Sequence, residues 1–208
     1  MIALLHFASP PPSRGLGPQE HSYQGRRAWS VWVRAVADVV NNVNVGAARD
    51  FVEQARKDPA VARKKKSVEG IWTFKEGQPQ MGAELEFPKG KTAVLCELPA
   101  FAGGWGTSPD PIQYCLFGMA ACYGTTFAGA ASQEGVTLTS LRVRAENEMD
   151  LRKQLGLGKD PIIQRVKFTV HAEGAPKEVL ERIKRLADER CPGVECVTRS
   201  IPLETLLA

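Results

Sequence analysis

Residues 108–133, SPDPIQYCLFGMAACYGTTFAGAASQ, decide the fold. Ser108 stands where a helix cap is wanted, and Pro109 and Pro111 suit a first turn whose N–H groups lack partners in any case. Beyond Asp110 the stretch carries no charged residue. The spacing predicts one long helix over 110–133, and a helix with no face suited to water has to be central and buried. Gly118, Ala121, Gly124, Ala128 and Gly129 lower its intrinsic helix propensity but let another backbone approach closely. A second helix or a partner subunit is therefore expected along it.

Outward from this helix the period changes. On its N-terminal side, 68–74 and 83–87 alternate apolar and polar residues around the turn sequence EGQPQ, which predicts a β-hairpin followed by a third strand at 93–98. Earlier still, Val33, Val36 and Val40, then Ala48, Phe51, Val52 and Ala55, recur at helical spacing, which predicts two short helices, the second ending near Asp58-Pro59. On the C-terminal side, 137–146 and 163–172 read as strands, joined by a short helical loop, DLRKQLGLGKDP. A helix begins at Pro176, with Glu178–Arg182 and Glu181–Arg185 expected as pairs on its outer side, and Cys191-Pro192-Gly193 is its terminator. The order predicts an α+β domain with segregated antiparallel strands. Residues 1–28 read as a mobile tail or as sequence ahead of the true start, 29–66 as an N-terminal helical segment, and 67–208 as the main domain.

Composition excludes several classes of function. The formal charge is +4 over 208 residues, too small for counterion release to drive binding to nucleic acid. The basic run Arg63-Lys64-Lys65-Lys66 has no interleaved aromatics and reads as a solvated linker. Apolar stretches fall short of the roughly 20 residues that a membrane-spanning helix needs, and the apolar start MIALLHFA lacks the basic region of a signal peptide. The five cysteines, an odd set, suit a reducing compartment, so the chain reads as a soluble cytoplasmic protein.

Those cysteines are also the candidates for chemistry. Cys115 and Cys122 lie two turns apart on one side of the long helix. A cysteine in an apolar helix is by base rate a small hydrophobe with a raised pKa, so position alone does not make Cys122 a nucleophile. Cys191 sits at a helix end beside Arg190 and Arg185, which favour a thiolate, while the helix dipole opposes it. No cysteine spacing matches a common zinc pattern, and His171 has no neighbouring ligand, so no metal is expected; His6 and His21 fall in the tail. Phosphate-loop, nucleophile-elbow and His-Glu-x-x-His motifs do not occur.

With SPDPIQYCLFGMAAC opening the long helix and RLADERCP closing the later one, the chain resembles the OsmC/Ohr (osmotically inducible protein C-like) family over roughly 45–203. Within it the chain looks most like a branch with an extra N-terminal helical segment ending in an Asp/Asn-Pro step, here Asp58-Pro59. The resemblance implies an intertwined homodimer, with two sheets around paired central helices. It also implies that Cys122 attacks an organic hydroperoxide, becomes a sulfenic acid and is resolved by Cys191, after which a dithiol reduces the disulfide; no metal or flavin is implied. The chain departs from the family pattern at the hairpin turn KEGQPQ, which has no arginine, and at Ile112 and Gln113, where a carboxylate is expected. Those departures motivate a second reading, a non-catalytic protein that binds a small apolar ligand at the dimer interface; a third is a redox sensor that forms the disulfide without turnover.

Overall fold

The computed structural model describes residues 38–207; the expected tail and the start of the N-terminal helical segment lie outside them. The first described element corrects an expectation. Val40 is not helical: Val39–Val40 (β1) and Val43–Asn44 (β2) form a minimal antiparallel hairpin. Its turn residues Asn41 and Asn42 have φ of 52° and 60°, the left-handed pair that a two-residue hairpin turn requires and that Asn tolerates best after Gly. Asn44 then caps the helix Val45–Lys57 (α1), its side chain accepting from Ala47 N at 2.9 Å, and the helix ends where expected, just before Asp58-Pro59.

Asn41 fastens this segment to the domain. Its amide donates to Ser132 Oγ (3.1 Å) and to the Val136 carbonyl (2.8 Å), and its side-chain oxygen accepts from Leu138 N (2.8 Å). Replacing Asn41 by Ala removes all three bonds and puts a β-carbon at positive φ without a side chain that tolerates it. The expected cost is about 2 kcal/mol in urea-induced unfolding. Unchanged stability would show that the hairpin is not anchored here.

The predicted hairpin and third strand are present as Gly70–Trp72 (β3), Met81–Phe87 (β4) and Gly90–Cys96 (β5), an antiparallel sheet in the order β3-β4-β5. The central helix follows as Pro111–Gln133 (α2). The C-terminal strands are Ser140–Met149 (β6) and Ile163–Glu173 (β7), paired antiparallel with a register shift at Glu148/Met149. Lys177–Arg190 (α3) packs beside α2 on the β6-β7 ribbon. The architecture is the α+β arrangement expected, with antiparallel sheets and, among the described residues, four α-helices.

Three details differ from the sequence reading. Asp110, not Ser108, caps α2: its carboxylate accepts from Ile112 N and Gln113 N, and the Gln113 side chain accepts in return from Asp110 N. This reciprocal arrangement satisfies three orphan donors, whereas one hydroxyl satisfies only one. Neither expected outer pair on α3 forms. Arg182 reaches Glu134 at the end of α2 (Nε to Oε2, 3.1 Å), and the pair at four-residue spacing is Lys184–Asp188. An exposed pair at that spacing is worth only about 0.3–0.5 kcal/mol, so a partner on the neighbouring helix wins easily. Finally, the chain does not stop being helical at Cys191: Pro192 occupies the first position of a further short helix, Pro192–Thr198 (α4).

Burial along α2 is uneven. Tyr123, Phe127, Ala130 and Ala131 are buried and, with Ile183, Ala187 and Cys191, form the core, against which Val143, Phe168 and Val170 of the ribbon pack; Ser132 is buried as well. Its N-terminal turns are open within one chain: Cys115 is exposed and Phe117 retains 71% of its accessible surface. Between these turns and the β3-β4-β5 sheet lies an apolar groove of about 570 Å³, lined by Met81, Leu85, Val94, Leu95, Tyr114 and Phe117. The charge-free sequence needs covering along its whole length, and one chain supplies that only to the second half.

Candidate functional site

Cys122 is carried by the middle of α2 and Cys191 by the junction of α3 and α4, where it is the residue before Pro192 and caps α4. The fold brings them together across one glycine. A β-carbon built on Gly193 would lie 3.4 Å from Cys122 Cβ, 3.5 Å from Cys191 Sγ and 3.5 Å from Met119 Cα. Gly193 therefore lets α4 lie directly against α2, and both cysteines border the contact. Cys191 is buried at 2% exposure, Cys122 is half-buried, and all five cysteines are free thiols.

Burial pushes the Cys122 thiol above its ordinary pKa. The nearby Gly193 backbone N–H opposes that shift, while the neighbouring Cys191 and Cys196 thiols add to it. No cation is among the groups acting on Cys122 from the described residues. Tyr123, the next residue, points the other way into the core. Its hydroxyl donates to Asp188 Oδ1 at 2.7 Å, and burial, reinforced by that carboxylate, raises its phenol beyond the normal range. The bond ties α2 to α3 one turn before Cys191 and so fixes the two cysteine-bearing elements against each other.

A carboxylate is present ahead of α2, at a place the sequence reading missed. Glu97, just past β5, is 2% exposed and accepts backbone N–H bonds from Trp105 (3.0 Å), Thr107 and Ser108 (2.8 Å). Burial alone would raise its pKa, but those donors outweigh it and hold the carboxyl below the usual range. The loop it gathers depends on Gly104, where a β-carbon would come within 1.6 Å of the Leu98 carbonyl oxygen. Glu97 thus sets the start of α2 rather than facing Cys122. A lone acidic residue between an apolar strand and a glycine-rich loop was the only trace of this in the sequence.

Because the folded-state pKa of Glu97 is depressed, its stabilisation is complete above the unfolded value of about 4.3 and is lost as pH falls through the lower folded value. Trp105 fluorescence is expected to shift on acidification below that point. Glu97→Gln, which replaces one acceptor oxygen with a donor facing N–H groups, is expected to show the shift already at neutral pH. A variant spectrum identical to the unmutated one would remove Glu97 from this role.

The remaining candidates are dispersed. Cys96 ends β5 and lines the apolar groove, Cys115 is exposed on α2, and Cys196 is exposed on α4. Among the described residues no group of three or more His, Cys, Asp or Glu side chains is arranged to hold a metal. Nor is any described helix long and apolar enough to cross a membrane.

The family model for OsmC-like protein matches residues 104–206, which contain both cysteines of the pair. Residues 104–206 are an OsmC-like domain. The chain is similar to the crystal structure of an organic hydroperoxide resistance protein OsmC from Legionella pneumophila, at 17% identity over 65% of this chain and 92% of that one, with a TM-score of 0.47. It is similar to an OsmC-like protein from Mycoplasma pneumoniae at 15% identity (64% and 87% covered, TM-score 0.49). It is also similar to the organic hydroperoxide resistance protein OhrB of Bacillus subtilis at 16% identity (64% and 91% covered, TM-score 0.43). None of the curated proteins matches the chain. The OsmC-like domain begins within the loop that Glu97 gathers, so this carboxylate lies just ahead of the matched residues and yet positions their first helix.

Proposed function

We propose that the protein reduces organic hydroperoxides with thiols, Cys122 acting as the attacking thiolate and Cys191 as the resolving thiol. The supporting observation is the placement of Cys122 and Cys191, 69 positions apart in the sequence, on the two sides of Gly193. The Cys122 thiolate attacks one peroxide oxygen, the O–O bond breaks, and the other oxygen leaves as the alcohol after taking a proton. The resulting sulfenic acid is attacked by Cys191, a sulfur–sulfur bond forms and water leaves. Two electrons from an external dithiol then restore both thiols. Condensation between bordering thiols is fast and protects Cys122 from irreversible oxidation. Five free thiols suit a reducing compartment, and we place the cycle in the cytoplasm as part of oxidative stress defence.

We assign the open N-terminal turns of α2 and the apolar groove to a homodimer. A second copy would bury Phe117 and the groove together, and exposed apolar surface on this scale marks an interface. The test of the activity is intact mass and thiol titration after one equivalent of cumene hydroperoxide. Cys122 and Cys191 should disappear as a pair, without added oxygen. If Cys122 stays a free thiol in folded protein, the activity is lost as a reading. The absence of a cation beside Cys122 then favours the second one, an apolar ligand held in the groove, which native mass spectrometry of freshly purified protein would reveal.

A further inference from the structure

The proposed cycle uses two cysteines, and a third stands beside them. Cys196 lies three residues after Gly193 on α4, hence on nearly the same face of that helix, one turn on from the glycine that abuts Cys122. It is exposed, whereas Cys191 is 2% exposed. The cycle therefore has a weakness: a disulfide between Cys122 and Cys191 would present little sulfur to a bulky reductant. Access to the attacked sulfur controls the rate of thiol–disulfide exchange.

We propose that Cys196 is a relay thiol that takes over the disulfide from Cys191 and presents it to the reductant. This rests on the peroxidase reading for the origin of the first disulfide. In the relay step the Cys196 thiolate attacks Cys122 Sγ. The bond between Cys122 and Cys196 forms as the bond between Cys122 and Cys191 breaks, and Cys191 leaves as a thiolate that takes up the proton Cys196 gave up. Nothing is oxidised overall. An external dithiol then attacks at Cys196, releasing Cys122 as a thiol and leaving as its own disulfide after a second exchange.

Two further features agree with the step. Beside its placement one turn on from Gly193, Cys196 is among the groups that push the Cys122 thiol above its ordinary pKa. A helix of only seven residues has little stability of its own, so the exposed last turn of α4 opens easily and lets Cys196 close the remaining gap.

The experiment uses the full-length protein oxidised with one equivalent of cumene hydroperoxide, quenched in acid with N-ethylmaleimide, and mapped by peptide mass spectrometry. In Cys191→Ser a peptide cross-linked between Cys122 and Cys196 is expected. In Cys196→Ser the first disulfide should form at the unmutated rate, and its reduction by thioredoxin should slow about tenfold. Absence of either result overturns the relay. If the hydroperoxide leaves Cys122 reduced, the peroxidase reading falls separately. Diamide, which oxidises neighbouring thiols directly, then still decides whether Cys122 pairs with Cys196 in Cys191→Ser.

Discussion

Cys122→Ser is expected to reduce hydroperoxide consumption to the uncatalysed background, because a serine hydroxyl in this setting has neither the acidity nor the polarisable sulfur that the attack needs. Replacing both Cys191 and Cys196 by Ser should leave the attack intact and remove its resolution. Each oxidised Cys122 would then persist as a sulfenic acid and, with excess peroxide, advance to the sulfinic acid, visible as a mass gain of two oxygens. The pH dependence has a definite sign. Burial and the neighbouring thiols raise the Cys122 pKa, so the reactive thiolate is the minor form at neutral pH. The oxidation rate should keep rising as pH passes the ordinary cysteine value of about 8.5. A rate flat from neutral pH upward would mean that a cation absent from this environment, such as one on a partner subunit, holds the thiolate. Full activity in Cys122→Ser would end the proposed mechanism.

Phe127→Ala is expected to destabilise the protein by about 3–5 kcal/mol, the usual cost of removing a large buried aromatic. Phe127 is 1% exposed and sits in the cluster where α2 meets α3 and the β6-β7 ribbon. Neighbouring Tyr123 is locked by its bond to Asp188 and by a tilted contact with the Phe168 ring at 5.3 Å between centroids, so the site can collapse little. The loss should appear as a lower urea midpoint with an unchanged slope. A cost below about 1 kcal/mol, near the range of exposed sites, would place Phe127 outside the core. Phe117→Ala, by contrast, should leave the stability of a single chain unaltered and weaken association if the groove is the dimer interface.

How much of this was legible before folding differs by feature. The strand at 163–172 and the helix from 176 were visible because each packs one face on the core, and a one-sided burial prints its period on the sequence; the strand at 83–87 carries the same alternation although Leu85 and Phe87 are exposed within one chain. Val40, beside the interruption at Asn41-Asn42, was read as helical because two residues per strand are too few to show alternation, and valine satisfies either period over so short a run. Glu97 was passed over since nothing local distinguishes a carboxylate that will gather three backbone donors from one that faces water. The donors come from residues 105–108, whose path depends on the turn at Gly103-Gly104.

By itself the sequence determined the α+β class and the long uncharged helix, which follow from side-chain types and their spacing, local properties; Cys122 and Cys191 were singled out by the resemblance of the motifs that carry them to the OsmC/Ohr family. Only the tertiary structure decided that Cys122 and Cys191 border the same glycine and that half of the central helix is left open. Those are relations between segments far apart in the chain. They are set by how α2, α3 and α4 pack on the ribbon, and packing is a property of complementary surfaces that no single segment carries.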